Sequence, residues 1–396
     1  MIKLTLPLLL LLVVFALFSC DDNGTDPEFA WEVVWNRPLA DSTGTYFISI
    51  HAGSGDDFLA FGQARSSEAD PWYPITMEID TAANMTDTIE MPENIDGNHI
   101  YPRNIAFASD NSILLTGAVG APDRQLLALR AGVTGNIISD TSLGGTNNEY
   151  GNSIVETSDN GFAVVGWSAS DIATSAAIYL CRFNQAGELL WQEKYIKGFS
   201  AQGEALTLND NDGFILGGTA VDDFAGNDYI YLLNVDADGD TIWTRQLGGS
   251  GNDLCEDMIR VADGVVVAGW TGSLGAGEYD IYLGKVAFNG NVLWEKGLGS
   301  TANEAFKSIS ETSGGGFILT AGESGTLVNN AKAYIVKVDS SGDIVWEIYL
   351  QDEPGEEYEI VGAVELDIEN ILILTQTDNL DGTWSSNLMK IKLSGV

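Results

Sequence analysis

The sequence repeats one pattern seven times, at intervals of 49 to 55 residues. Each copy has a tight turn followed by an apolar run, and most of these runs end in glycine. Aligned on the turn residue, the copies fall at positions 57, 112, 161, 213, 264, 316 and 370. Self-similarity at this period is typical of solenoids and propellers, in which each repeat is one small structural unit. The repeat therefore constrains the fold more than composition does.

A second motif completes each unit. Two short apolar segments flank a glycine-containing turn, a pattern that predicts a β-hairpin. In four copies the second segment carries a tryptophan at the same position: Trp191, Trp243, Trp294 and Trp346. Because these large rings recur at one place in the unit, we expect them to pack between neighbouring units.

The two ends of the chain complement each other. Residues 393–396 stop at the turn where other copies continue into the tryptophan segment, whereas residues 31–35 look like residues 342–346. We therefore expect residues 31–36 to pair beside residues 388–392 as the missing outermost strand. Such closure removes an exposed sheet edge that would invite pairing with another chain.

The repeat and the closure together predict the fold class. Each copy contains four strand-like segments, which in the third copy are residues 153–157, 162–167, 178–183 and 189–194. Four strands in about fifty residues is the pattern of a propeller blade. A β-helix has shorter repeats, and a two-layer sandwich would not repeat seven times. We predict an all-β, seven-bladed β-propeller of four-stranded blades over residues 30–396, with the ring closed by the N-terminal strand completing the last blade.

Residues 1–19 have the pattern of a secretory signal peptide. Lys3 precedes an apolar run of about 15 residues and a small residue, Ser19. This run is shorter than the roughly 20 residues that a transmembrane helix needs, although an uncleaved anchor helix is the alternative. Residues 17–20 resemble the bacterial lipobox, in which lipid is attached to the cysteine. The resemblance implies cleavage before Cys20, lipidation of Cys20 and an acidic tether over residues 20–29.

The chain is strongly acidic. Its formal charge changes from −39 to −40 when residues 1–19, which include Lys3 and no anion, are removed. Such a charge repels nucleic acid and anionic headgroups, so we expect no nucleic-acid partner and membrane contact only through the lipid anchor. Divalent cations and basic proteins are compatible with it, and so is acidity that serves solubility alone. The lipobox resemblance implies a place in the cell envelope, at the outer membrane or cell surface, with periplasmic or external orientation left open.

Two cysteines remain besides Cys20. Cys181 and Cys255 lie two repeats apart and at different positions within the repeat, so the short Cα separation of a disulfide is not expected. We expect two small buried side chains instead.

The repeat unit resembles that of a broad family of secreted bacterial and archaeal β-propeller repeat proteins. The likeness covers residues 31–396 and is carried best by the segments at 143–149, 247–253 and 298–304, together with the Asp-Gly-Gly-Phe and Asp-x-x-Gly-x-x-x-Trp patterns. It implies the fold and export, and little about chemistry. The second pattern is also similar to the tryptophan-docking motif of quinoprotein dehydrogenases and to the lipoprotein propeller of the outer-membrane β-barrel assembly machinery. Those families typically have eight blades. A quinone-cofactor enzyme would also need a metal-binding carboxylate cluster and usually a pair of adjacent cysteines, and no two cysteines of this chain are adjacent, so no cofactor is expected.

Residues for catalysis or metal binding are few. His51 and His99 are the only histidines, which leaves little material for a nucleophilic triad or a histidine-rich zinc site. Carboxylate pairs for glycoside hydrolysis exist among 57 acids, but spacing singles out none. Asp236, Asp238 and Asp240 alternate as in a calcium loop. The equivalent residues of other copies indicate a recurring hairpin turn, so calcium is a weak alternative there.

Candidate ligand-binding residues lie in two kinds of connection, which in a propeller share one face. Aromatic residues lie beside the variable connections between the second and third strands: Trp72, Tyr73, Trp167, Trp270 and Trp384. Acid-amide pairs lie where one blade crosses to the next: Asn148, Glu149, Asn252, Asp253, Asn303 and Glu304. These pairs suit either cation binding around the central channel or hydrogen bonds from loop amides. Loops on a rigid scaffold are where binding usually resides, so we predict the ligand surface there.

These features favour a non-catalytic binding or scaffold protein, monomeric, whose partner is an envelope protein, a peptide or an extracellular glycan. The alternative is an extracellular enzyme, acting for example on polysaccharide, that uses the same face; a purely structural role in a surface layer is a third reading. Convergent carboxylates with shifted pKa values in a deep pocket would favour chemistry. A shallow aromatic face with scattered acids would favour binding.

Overall fold

A computed structural model describes most of the propeller region. The described residues are 30–38, 45–52, 58–64, 72–80, 84–120, 122–170, 172, 174–224, 226–324, 332–351, 358–378 and 384–394. The expected signal peptide, Cys20 and the tether lie outside them. The described part of the chain contains 29 strands in seven antiparallel sheets, and it includes no helix that is long and apolar enough to cross a membrane.

The first three blades follow one another along the chain. Blade 1 holds β2 (Thr45–Ala52), β3 (Phe58–Ala64), β4 (Tyr73–Ile79) and β5 (Met85–Glu90). Blade 2 holds β7 (Asn98–Phe107), β8 (Ile113–Val119), β9 (Gln125–Ala131) and β10 (Ile137–Leu143), with β6 (Asn94–Ile95) paired to its inner strand. Blade 3 holds β11 (Glu149–Glu156), β12 (Phe162–Ser168), β13 (Ala177–Phe183) and β14 (Leu189–Tyr195).

The remaining blades complete the ring. Blade 4 holds β15 (Ser200–Leu208), β16 (Phe214–Val221), β17 (Tyr229–Val235) and β18 (Thr241–Leu247). Blade 5 holds β19 (Asp253–Val261), β20 (Gly264–Thr271), β21 (Asp280–Ala287) and β22 (Val292–Leu298). Blade 6 holds β23 (Asn303–Glu311), β24 (Phe317–Ser324), β25 (Lys332–Val338) and β26 (Ile344–Gln351). Blade 7 holds β27 (Tyr358–Asp367), β28 (Asn370–Asp378), β29 (Trp384–Ser394) and β1 (Ala30–Pro38).

The seven-bladed propeller and its closure are confirmed. In blade 7 the strand order is β1-β29-β28-β27, so the N-terminal strand is outermost. Glu32 pairs with Lys392 and Arg37 with Leu388, so the N-terminal strand lies beside residues 388–392 as predicted from the repeat. β6 is the one strand of the described residues that the four-strand pattern did not predict.

Burial follows position within a blade. The second and third strands are buried on both faces, because each lies between two strands of its own blade and between two neighbouring blades. All seven residues of β8 and of β13 are buried, for example. The outermost strands alternate between exposed and partly buried residues, as in β10 and β14. The continuous apolar runs of the repeat thus form the core.

The recurring tryptophans pack between blades, as predicted. A side chain on Gly239 would contact the ring of Trp191, one on Gly290 the ring of Trp243 and one on Gly342 the ring of Trp294. In each case the ring covers the hairpin turn of the following blade, where glycine adopts a positive φ. Trp346 is 3% exposed and belongs to an apolar cluster that reaches β29.

Cys181 and Cys255 are both buried free thiols, as expected from their repeat positions. Burial raises the pKa of each thiol, so neither is a reactive thiolate near neutral pH.

Candidate functional site

The innermost strand of every blade carries a β-bulge at the same place. Each bulge leaves one residue without a partner on the next strand. These residues are Ile48, Arg103, Asn152, Glu204, Glu256, Lys307 and Val361. All except Val361 are at least partly exposed. Because the free edge of an innermost strand borders the central channel, exposed side chains in the middle of these strands line it.

Polar contacts join two members of this channel ring, Asn152 and Lys307, to the following blade. Asn152 Nδ2 donates to Gly203 O at 3.0 Å and to Glu204 Oε2 at 2.8 Å. Lys307 Nζ forms an ion pair with Glu359 Oε1 at 2.5 Å. The channel wall is therefore polar at the junctions of blades 3 and 4 and of blades 6 and 7.

Three carboxyl groups come together on the wall formed by blades 4 and 5: Glu204, Glu256 and Asp257. Part of the Glu204 side chain faces the channel, but protein surrounds its carboxyl group. Burial, with the Glu256 charge adding to it and the Arg103 charge opposing it, raises the pKa of Glu204 to about 8. Burial likewise raises the pKa of Asp257 to about 6. Near pH 7 the protein thus holds a protonated carboxyl group beside an exposed glutamate.

A cavity of about 300 Å³ lies between blades 4 and 5 beside these acids. It is lined by Glu204 and Glu256 and, nearer the starts of β15 and β19, by Gln202 and Leu254. Asp228, which lies in the connection before β17, forms part of its rim, so the cavity opens on the face predicted to bind ligand. Its volume is at the lower end of the range for small-molecule sites.

Blades 2 and 3 present an aromatic platform, made of Tyr101, Arg124, Tyr150 and Trp167, on the same face. The rings of Tyr150 and Trp167 stack with centroids 5.0 Å apart and planes 23° apart. The Arg124 guanidinium lies 4.0 Å from the centre of the Tyr101 ring and 5.4 Å from that of Tyr150, and it donates to the Tyr150 hydroxyl. All four side chains are partly exposed.

Trp270 occupies the equivalent position in blade 5. Its Nε1 donates to Glu256 Oε1 at 2.9 Å, and its ring meets that of Tyr279 edge to face at 5.1 Å. Trp270 is partly exposed, so it connects the loop surface with the acid cluster. Trp167 and Trp270 are therefore both partly accessible at the surface.

The remaining aromatic candidates lie elsewhere on the ring. Trp72 and Tyr73, both partly exposed, lie at the start of β4 in blade 1. The backbone of Trp384 pairs with Asp378 at the start of β29, and its side chain lies outside the described residues. The structure does not bring these three residues into the platform.

The acid-amide pairs clamp neighbouring blades together. Asn148 Oδ1 accepts a hydrogen bond from Arg124 N at 3.0 Å, and Glu149 N donates to Arg124 O at 2.8 Å. The same two bonds join Asn252 and Asp253 to Asp228, and Asn303 and Glu304 to Tyr279. Crossovers and second-to-third-strand connections thus meet on one face, the loop face, as predicted.

The acids of these pairs are buried: Glu149 is 1% exposed, and Asp253 and Glu304 are 0% exposed. Glu149 accepts hydrogen bonds from Gly145 N and Ser168 Oγ. Asp253 accepts from Gly249 N, Ser273 Oγ and Thr271 Oγ1. Of the two sequence-based alternatives, hydrogen bonds from the loops describe Glu149 and Asp253. They support the loop face from below and do not form its exposed surface.

At Asp236, Asp238 and Asp240, the weak calcium candidate of the sequence, the structure shows a hairpin turn. Asp236 Oδ1 accepts hydrogen bonds from the backbone of Asp238 and of Asp240, at 3.0 and 2.9 Å, and Gly239 has φ of 91°. This is the hairpin turn inferred from the other copies. In the described part of the chain, no three acidic, histidine or cysteine side chains are grouped to hold a metal ion.

Sequence reasoning missed several residues of the loop face. Phe224 is 87% exposed and meets Phe199 edge to face at 5.6 Å, beside the acidic cavity. Arg124, Tyr101 and Tyr150 were also missed, because their importance depends on stacking across blades. The channel ring was detectable: six of its members lie nine residues before the aligned turn position and Glu256 lies eight before it.

The opposite face carries a wider, shallower depression of about 600 Å³ between blades 2 and 3. Arg130, which lines it and is only 2% exposed, pairs with Asp110 at 2.7 Å and also donates to Asn160 O and Gln185 O. These bonds hold the turns of adjacent blades together. We therefore assign this depression a structural role.

The comparisons with known proteins show the fold alone. No family model matches the sequence, and no curated protein matches it. Among solved structures, an α-L-arabinanase from Penicillium chrysogenum is 13% identical, with 79% of this chain and 99% of that chain covered and a TM-score of 0.52. The phage phi92 endosialidase is 8% identical, with 91% and 69% covered and a TM-score of 0.51. A protein of unknown function from Dyadobacter fermentans DSM 18053 is 11% identical, with 92% and 99% covered and a TM-score of 0.50.

Proposed function

We propose that this chain is a binding protein of the bacterial cell envelope whose ligand, a glycan or a protein segment, lies on the loop face at the mouth of the central channel. The aromatic platform of Tyr101, Arg124, Tyr150 and Trp167 carries the proposal. It presents flat apolar rings and a cation at the channel mouth. These groups suit the faces of sugar rings and the side chains of peptides.

The platform is preorganised for binding. Trp167 is held by stacking on Tyr150, and Arg124 is held by Tyr101 and Tyr150 together. Because these side chains have little freedom left to lose, less conformational entropy opposes binding. The acidic cavity of blades 4 and 5 lies on the same face and adds carboxylates for hydroxyl or cationic groups of a ligand.

The envelope location rests on the N-terminal sequence. Residues 17–20 resemble a lipobox, and Cys20 would carry the lipid with residues 20–29 as a tether. The N-terminal strand begins at Ala30, in the outermost position of blade 7. An anchor at Cys20 therefore leaves the loop face and the channel mouth, which other blades form, accessible to an envelope protein or an extracellular glycan.

The test is a binding screen with a soluble form of residues 21–396, on a glycan array and in pull-downs from envelope extracts. We expect Trp167→Ala and Trp270→Ala to weaken binding about tenfold or more while the melting temperature stays within a few degrees, because both residues are partly exposed. Leu190→Thr is the matched control, since Leu190 is 54% exposed on the outer strand of blade 3, away from the loop face. Binding that is unchanged in both tryptophan variants would exclude the platform as the site.

An enzyme acting on polysaccharide from the same face is the second candidate. It is favoured by Glu204, whose pKa of about 8 keeps it protonated near pH 7 beside Glu256 in one cavity. Hydrolysis of glycosidic bonds uses such a pair of carboxyl groups, one as acid and one as base or nucleophile. A panel of polysaccharides assayed for released reducing ends separates the candidates. Turnover that Glu204→Gln and Glu256→Gln each abolish would favour the enzyme, and binding without turnover would favour the binding protein.

A further inference from the structure

The junction between blades 5 and 6 contains two buried carboxyl groups where the other clamped junctions contain one. Glu304, in β23, is the acid of the clamp described above. Asp280, the first residue of β21, is the additional acid. Both residues are 0% exposed.

The equivalent residues of other junctions are neutral. Asp280 follows Tyr279, whose backbone bonds to the acid-amide pair of the next blade. The corresponding residue is Gln125 at the junction of blades 2 and 3 and Tyr229 at that of blades 4 and 5. Those two junctions are thus built with one buried carboxylate each, Glu149 in the first and Asp253 in the second. Asp280 is therefore not explained by the shared architecture.

One oxygen of Asp280 is left without a hydrogen bond. Asp280 Oδ2 accepts from Gly277 N at 2.9 Å. Asp280 Oδ1 has no hydrogen-bond partner among the described residues and no contact with solvent. Burying a charged oxygen without a partner is costly unless a counter-charge is present.

Asp280 Oδ1 and Glu304 Oε2 both approach Gly299. A Cβ atom placed on Gly299 would clash with both oxygens. The two oxygens therefore lie close to each other, and the absence of a side chain on Gly299 makes room for both. The other oxygen of Glu304, Oε1, accepts from Ser300 N at 3.0 Å and from Ser300 Oγ at 2.9 Å.

We propose that Asp280 Oδ1 and Glu304 Oε2 bind a calcium ion at the junction of blades 5 and 6. The donors are hard oxygens, which favour Ca²⁺ over metals that prefer nitrogen or sulfur. The two charges of the ion balance the two carboxylates. Calcium accepts irregular coordination completed by backbone carbonyls, whereas Mg²⁺ demands near-octahedral geometry and keeps its waters. This site is separate from the proposed ligand surface, and its role is to hold two blades together.

Calcium titration of the purified protein after EDTA treatment tests the proposal. We expect one tightly held Ca²⁺ per chain in equilibrium dialysis. Calcium at about a hundred times its dissociation constant should raise the melting temperature by about 3 °C in a chain of this size, and Mg²⁺ at the same concentration should not. Asp280→Asn should lose both the bound calcium and the shift. Asp238→Asn, in the exposed hairpin turn of blade 4, is the matched control and should keep both.

Terbium luminescence provides a readout that needs no variant. Tyr279 adjoins Asp280 in sequence, and Trp270 lies against Tyr279 with ring centroids 5.1 Å apart, so Tb³⁺ at this site should show emission excited through these rings and displaced by Ca²⁺. A melting temperature that depends on pH but not on calcium would indicate that the two carboxyl groups share a proton, and it would overturn the proposal. Calcium binding that Asp280→Asn retains would overturn it as well.

Discussion

At the scale of single residues, the environment of each tryptophan decides what its loss would cost. Trp243 lies against Gly290 of the following blade, and its Nε1 donates to Phe288 O at 2.9 Å. Trp167 stacks on Tyr150 at the surface of the loop face. The first joins two blades, whereas the second is available to a ligand.

We expect Trp243→Ala to lower the free energy of unfolding by about 3 kcal/mol, because it removes a large inter-blade contact and leaves Phe288 O without its partner. Ile242→Thr is the neighbouring control and should cost little, since Ile242 is 53% exposed. Urea denaturation of both variants checks this. Equal losses in the two variants would contradict the assignment of Trp243 to the core.

The raised pKa of Glu204 predicts how the free energy of unfolding depends on pH. Its pKa is raised to about 8 in the folded protein, so between about pH 5 and pH 8 the folded state binds more protons than the unfolded state. The contribution of Glu204 to the free energy of unfolding is therefore complete below about pH 5, and it is lost as the pH rises through 8. Glu204→Gln should be several degrees more stable than the wild type at pH 8.5 and close to it at pH 4.5.

Thermal unfolding across this pH range measures the effect. Asp238→Asn, at an exposed turn, should leave the pH profile unchanged. A Glu204→Gln profile parallel to that of the wild type would show that folding does not raise the pKa of Glu204.

At the scale of strands, two features of the sequence are enough to predict the framework. The apolar runs predict the buried second and third strands, and the likeness of residues 31–35 to 342–346 predicts the place of β1. The inner-strand bulges were not predicted, because a bulge changes the side-chain alternation by one residue and leaves the apolar pattern almost intact. The charged side chains that the bulges turn toward the channel, such as Glu204, were missed for the same reason.

Removing β1 tests the closure of the ring. A chain starting at residue 39 should lose several kcal/mol of stability relative to one starting at residue 28, because it loses the packing of Trp31 and Val33 against the cluster around Ile391. It should also self-associate, since β29 becomes an exposed edge. Chemical denaturation and light scattering report the two effects. A shortened chain that is monomeric and equally stable would show that β1 does not close the ring.

At the scale of the whole molecule, the two faces of the propeller differ in the length and contacts of their connections. On one face, short turns are held by buried arginines such as Arg130 and Arg182. On the loop face, connections of varied length bring together the platform, Trp270 and the acidic cavity. The connections between the second and third strands differ among the seven repeats, and this variation predicted the position of the loop face. It did not predict which residues meet there, because Arg124, Tyr150 and Trp167 come from separate segments of two blades.

Hydrogen exchange of the protein with and without the strongest ligand from the binding screen tests the central claim most directly. The account predicts slower exchange on the loop face, in residues 144–148 and 272–279, where the clamps and the second-to-third-strand connections lie. It predicts no change in the turns of the opposite face, at residues 109–111, 158–160 and 185–187. Protection confined to those turns would contradict the proposed binding face.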